Sequence, residues 1–119
     1  MSKEEVERLR AICLALPDVT EKVSHGEPSW FAKNKKLFLT LADHHHDDRF
    51  GFWAAAPPGA QEALIADDPE RYFRPAYVGH RGWVGVYLDV PADWAEIADV
   101  VAEAHDTVAT PKRGGGSLR

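Results

Sequence analysis

Val6, Leu9, Ile12, Cys13 and Leu16 recur at three- and four-residue spacing and stop at Pro17, which predicts an amphipathic helix at the start of the chain. Ser2 and Glu5, three residues apart, have the spacing of a reciprocal N-terminal cap. The period then changes. Residues 20–55 read as a meander of short strands, with "TEKVSHG" and "SWFAKN" separated by a turn at Gly26 and Pro28. Asn34 sits at the bend of a hairpin in "AKNKKLF", and "KLFLTLAD" and "RFGFWAA" are the clearest strands. Strict alternation puts Leu37, Leu39 and Leu41 on one face and Phe38 and Thr40 on the other.

"PPGAQEALIADDPE" opens with prolines suited to a helix start and predicts a short helix that stops before Pro69. "GWVGVYLDV" is a further strand. "PADWAEIADVVAEAHDTVA" is the last helix, with Trp94, Ile97, Val101, Ala104 and Val108 in one stripe and Asp93 placed to cap it. The order α-β-β-β-β-α-β-α segregates strands from helices. That predicts a two-layer α+β fold, an antiparallel sheet with helices packed mainly on one face. Residues 1–110 form a single domain in this reading, and 111–119 a flexible tail. Along the last strand, Val84, Val86 and Leu88 point into the core while Trp83, Gly85 and Tyr87 point away. Two aromatics around a glycine make a flat surface for a second copy, a covering loop or a ligand.

With 119 residues, 45% of them hydrophobic, and four tryptophans, the chain is long enough to bury a core unaided. Cys13 is the only cysteine and lies on an apolar stripe, so it reads as core, with no internal disulfide and no Cys-based zinc site. Nothing approaches the roughly 18 apolar residues of a membrane span, and the charged "MSKEEVERLRAI" is no signal peptide; a cytoplasmic location is expected. The net charge is −5, which argues against a surface that grips phosphate everywhere. Its distribution is uneven: six acidic residues and no Lys or Arg lie between Asp89 and Asp106, while Lys33, Lys35, Lys36, Arg71, Arg74 and Arg81 gather elsewhere. This distribution fits a two-sided molecule, or equally a solvated acidic helix with scattered lysines.

Chemistry is sparse. "DHHHDD" at 43–48 contains metal-ligand residue types, but His44–His46 lie between two strands without a distant partner, as an exposed loop allows, so no metal is expected. Ser24 and His25 are strand neighbours whose side chains should diverge, which weighs against a nucleophile–base pair. No phosphate-loop or nucleophile-elbow motif occurs. No catalysis and no cofactor are therefore expected. In contrast, "RYFRPAYVGHRGW" packs three arginines, one histidine and four aromatics into thirteen residues, the mixture that grips phosphates and stacks on bases.

"LPDVTEKVSHGEPSWF", then "DDPERYFRPAYVGHRGWVGVYLD", then a helix ending in "VATPKR" resemble the MmcQ/YjbR family of small bacterial proteins, from about residue 5 to 113. The resemblance implies a two-layer α+β domain similar to type III secretion chaperones. It also implies a DNA-binding description, with two β-hairpin wings beside a groove. By position, its motif residues here are His25, Gly26, Pro28, Tyr77, Gly79, His80, Gly82, Trp83 and Val84. None is implied to be catalytic. The net charge and the "GGGSLR" ending depart from a strong DNA binder.

The leading expectation is a small non-catalytic nucleic-acid-binding domain. Arg74, His80 and Arg81 contact phosphate or base edges, Tyr77 and Trp83 stack, and Lys33, Lys35 and Lys36 extend the reach. The alternatives are a homodimer or protein-interaction module that uses the Trp83/Tyr87 face, and a small-ligand binder or enzyme around His25 and His80.

Overall fold

One row of directly opposed residues, Lys22–Ser29–Thr40–Trp53–Gly85–Phe73, runs across all six strands of the sheet. The next row, on the other face, is Glu21–Trp30–Leu39–Ala54–Val84. The computed structural model describes residues 3–43 and 49–109. Ser2, His44–His46 and the tail from 111 lie outside the described residues. Among the described residues the elements are α1 (Lys3–Leu14), β1 (Thr20–Ser24), β2 (Glu27–Phe31), β3 (Leu37–Asp43), β4 (Phe50–Ala54), α2 (Ala60–Asp67), β5 (Tyr72–Phe73), β6 (Val84–Tyr87) and α3 (Trp94–Ala109). All strand pairs are antiparallel, in the order β1-β2-β3-β4-β6-β5. The fold is α+β, as the segregated pattern predicts.

Two local features depart from simple alternation. The short β5 is absent from the pattern, because two residues carry no readable period. A bulge also breaks β3: Trp30 pairs with Leu39 but Phe31 pairs with Leu37, leaving Phe38 extra. Leu37 is thereby separated from Leu39 and joins the Phe31 side, while Phe38 turns to α3 and meets His105 edge-on at 5.3 Å.

The core lies between the Trp30 row and the helices. Leu9 and Cys13 from α1, Ile97, Val101 and Ala104 from α3, and Trp30, Leu39, Phe52, Val84 and Val86 from the sheet are all fully buried. Burial pushes the Cys13 thiol pKa far up, so it is an inert core group. Asp93 caps α3, its carboxylate accepting from the N–H groups of Ala95 and Glu96 at 3.1 and 3.2 Å. Asn34 does form the β2–β3 bend, accepting from the Lys36 N–H at 3.1 Å and donating to the Val108 carbonyl at 2.9 Å. Gly51 lies against the β6 backbone, where a Cβ would run into the Val86 carbonyl.

Two carboxylates tie the layers together. Glu21 on β1 accepts from Arg10 Nε at 2.9 and 3.0 Å and from the Trp30 indole at 3.0 Å, which fixes α1 against the sheet edge. Asp89 accepts two bonds from Arg49, both at 2.8 Å, and one from the Phe50 N–H. The Arg10 hydrogen bond holds the Glu21 carboxyl below its usual range, and the Arg49 bond does the same for Asp89. Folding therefore favours the ionised forms. Their contribution is complete above the unfolded carboxylate pKa of about 4 and is lost as pH falls through the lower folded values.

Glu21→Gln and Asp89→Asn should each cost about 1 kcal/mol at neutral pH after solvent screening, and progressively less as the pH falls below the unfolded carboxylate value. Urea melts at neutral and acid pH check this. Gly51→Ala should cost more than about 2 kcal/mol, because the opposing atom is backbone and has no rotamer to escape into. The same melts measure it.

Candidate functional site

The segment between β5 and β6 is held by one buried amide. Gln61, on α2 and 3% exposed, donates from Nε2 to the carbonyls of Gly79 at 2.8 Å and Trp83 at 2.6 Å. Its Oε1 accepts from Arg74 at 3.3 Å. The two carbonyls bracket a 3₁₀ turn at Gly79–Arg81, which ends on Gly82 at a φ of 86° that suits glycine. Gly79 is needed for room: a Cβ there would stand 2.6 Å from Arg74 Cγ. Just ahead, Tyr77 has a φ of 64°, a left-handed backbone that is rare for a bulky side chain.

This loop and the β1–β2 turn form the two walls of a groove of about 580 Å³ on the sheet face opposite the core. Thr40, Trp53 and Trp83 form the floor, with Leu37 beside them. Tyr77, Val78 and Arg81 make one wall; Ser24, His25 and Glu27 make the other. The Arg81 guanidinium lies 5.5 Å from the Trp83 ring centroid, and Tyr77 is 71% exposed at the mouth. Ser29 and Thr40 share a hydrogen bond of 2.8 Å across the floor's edge.

The structure corrects the reading of Ser24 and His25. Their side chains do meet, Ser24 Oγ to His25 Nδ1 at 3.2 Å, because His25 takes a φ of 54° and leaves strand geometry. With Gly26 at 82°, this is a two-residue hairpin turn with both central residues left-handed.

The predicted surface residues divide into three places. Tyr77, Arg81 and Trp83 share the groove with His25. Arg74 and His80 lie across the 3₁₀ turn in a separate recess with Pro57, Glu62 and Asp106, which Arg81 also borders. Lys33 and Lys35 border a third recess with Lys22 and Phe31; Lys36 is exposed at the same bend. Since Phe31 pairs with the groove residue Leu37, this lysine recess adjoins the groove along one sheet face. The motif residues Pro28 and Val84 are structural, pairing with Val23 and Ala54.

Burial refines two expectations. Trp83 is 5% exposed, so it is floor and not a free stacking platform. The exposed Trp83/Tyr87 face offered for a homodimer is also covered. Phe73 of β5 stacks on Tyr87 at 4.3 Å and lies over Gly85, where a Cβ would strike its ring, and Arg49 sits 3.6 Å from the Tyr87 ring centroid. Arg71, part of the arginine cluster, is internal: it reaches Glu96 at 3.3 Å, Asp68 at 3.5 Å and the Pro91 carbonyl at 3.1 Å. Gln61, Phe73 and Trp53 were missed as site-forming residues. Only Trp53 carried a signal, the alternation of "RFGFWAA" that sets it against Phe52.

Fold and site together define a small α+β domain with an aromatic-floored groove on the sheet face opposite its core. A family model described as YjbR matches residues 14–107, and the chain belongs to the YjbR family. No curated protein and no solved structure matches it significantly. Among the described residues, no helix is long and apolar enough to cross a membrane.

Gln61→Leu would leave two buried carbonyls without their donor and release Arg74. A loss of about 1–3 kcal/mol is expected, with faster amide exchange concentrated at residues 77–83 and little change in α1 or β3. Hydrogen exchange by mass spectrometry resolves the two regions.

Proposed function

We propose that this domain is a non-catalytic nucleic-acid binder whose contact surface is the sheet face opposite the core, and that it prefers an unpaired strand. One observation carries the reading: cations and aromatics lie in sequence along that single face. Lys22, Lys33 and Lys35 outnumber Asp18 around the recess beside Phe31, and the adjoining groove sets Tyr77, Arg81 and His25, with Glu27, around two tryptophans. The acidic helix α3 packs on β3 and β4 from the core side, although its Asp106 shares a recess with Arg81.

A groove floored by aromatic rings suits a base turned out of a stack, whereas a duplex hides its ring faces. The lysines and Arg81 are placed to lie along the phosphates. Arg74 and His80 have a smaller part, since Glu62 and Asp106 share their recess and offset their charge. The family resemblance, with its DNA-binding description, points the same way. With few phosphates neutralised and a net charge of −5, affinity should be modest and salt-sensitive.

Fluorescence anisotropy with labelled single- and double-stranded DNA, at about 50 and 200 mM salt, tests this. The single strand should bind more tightly, and binding should weaken several-fold between the two salt concentrations. Arg81→Glu and the pair Lys33→Glu with Lys35→Glu should each weaken it further. No binding at the lower salt, or binding indifferent to all three charge reversals, would refute the reading.

A further inference from the structure

We infer that the groove between the β1–β2 turn and the 77–83 loop is a self-contained site for a small planar aromatic anion, about the size of one nucleoside monophosphate. This rests on the same groove as the strand-binding reading but requires no strand: a free ligand of this chemistry suffices.

Size and lining support it. At about 580 Å³ the groove falls within the range of small-molecule sites. Its lining is of the expected kind, mostly apolar and aromatic with a few convergent polar groups. The floor favours a flat ring, because Trp53 and Trp83 are held nearly buried by the sheet on one side and the Gln61-anchored loop on the other. The small part of each ring left exposed, 9% for Trp53 and 5% for Trp83, is held rigid, so little freedom is lost on contact with it.

Charge sets the ligand's polarity. Arg81 stands on one wall, its guanidinium over the Trp83 ring at 5.5 Å from the centroid, and Glu27 stands on the facing wall. An anionic substituent is attracted to the Arg81 side and repelled from the Glu27 side, so the ring enters in one orientation. Ser24 and His25, joined at 3.2 Å, add a hydroxyl and an imidazole beside Glu27 for hydrogen bonds to ring heteroatoms.

The backbone points to the same place. His25 and Tyr77 are two of the four described non-glycine residues with positive φ, at 54° and 64°, and they stand on opposite walls of this one groove. At His25 this conformation belongs to the β1–β2 hairpin turn, whereas at Tyr77 it is rare for so large a side chain and is kept only where surrounding structure enforces it. Here it holds an imidazole and a phenol at the mouth, above the aromatic floor.

The test follows the four indole N–H resonances by NMR while adenosine monophosphate, adenosine, inorganic phosphate and a short single-stranded oligonucleotide are titrated separately. The monophosphate should shift Trp53 and Trp83 saturably and leave the core-side Trp30 and α3's Trp94 in place. Adenosine should bind more weakly, and phosphate alone should leave Trp53 unmoved. Arg81→Gln should weaken the monophosphate about tenfold without affecting adenosine, and Glu27→Gln should tighten it a few-fold. Tyr77→Ala, at an exposed position, should weaken both ring ligands.

If the monophosphate moves neither indole at about 10 mM, where a millimolar site would be mostly filled, the small-ligand site is refuted. Oligonucleotide binding would survive that result intact. Monophosphate binding with no response to the oligonucleotide would instead sink the strand reading and keep this one. Shifts that ignore Arg81→Gln would overturn the assigned polarity, and with it the anion.

Discussion

The side-chain amide of Gln61 decides where the groove's second wall stands. A primary amide has two N–H donors and one carbonyl acceptor, and here all three are spent on one loop: Gly79, Trp83 and Arg74. Burying such a group costs several kcal/mol if its partners are missing, so the loop is secured by the penalty for leaving. The bonded carbonyls belong to the first residue of the 3₁₀ turn and to the residue before β6. The turn therefore cannot drift along the sheet without breaking both. Trp83 is pressed to the floor, Tyr77 is carried to the rim, and the space between them stays open.

Fixed charges follow a similar logic of internal commitment. Arg10 is engaged by Glu7 and Glu21, Arg49 by Asp89, and Arg71 by Asp68 and Glu96. These contacts join helix to strand, strand to loop and loop to helix. Cations that a simple count offers to a partner are in fact part of the fold's own wiring. Lys22, Lys33, Lys35 and Arg81 border the sheet-face recesses instead, where they outnumber Asp18 and Glu27.

Much of this was legible in the chain. Long periodic segments identified α1 and α3, the strands of the meander and the Asp93 cap, because burial imposes a repeat that survives in sequence. The two-residue β5 was not legible, since nothing in Tyr72–Phe73 distinguishes a ladder from a loop. That single omission explains the misread sheet face: without β5 there is no Phe73 to fill the gap over Gly85. The bulge at Phe38 was hidden for a different reason, as one extra residue shifts the period without altering composition. Ser24 and His25 were misjudged because strand alternation was extended one residue into a turn. Of the candidate site, the cluster from Tyr77 to Trp83 was visible, while its anchor, Gln61, lay on a helix chosen for its apolar residues. A long-range bond to two carbonyls leaves no local mark.

These facts rank the forces available to the site. A protein of net charge −5 gains little from long-range attraction to an anion, and salt screens what remains within about 8 Å. The local cations act over short distances only. By contrast, the tryptophan floor is already desolvated on one side and held rigid, so ring contact carries a smaller entropic cost and is indifferent to salt. Base–aromatic contacts are worth about 1–3 kcal/mol each, comparable with or larger than a screened surface ion pair. On the proposed reading, aromatic contact would therefore supply most of the affinity, and Arg81 would supply direction. In a domain built this way, recognition depends chiefly on whether a flat ring can reach the floor, which is to say on the amide that keeps the loop standing clear of it.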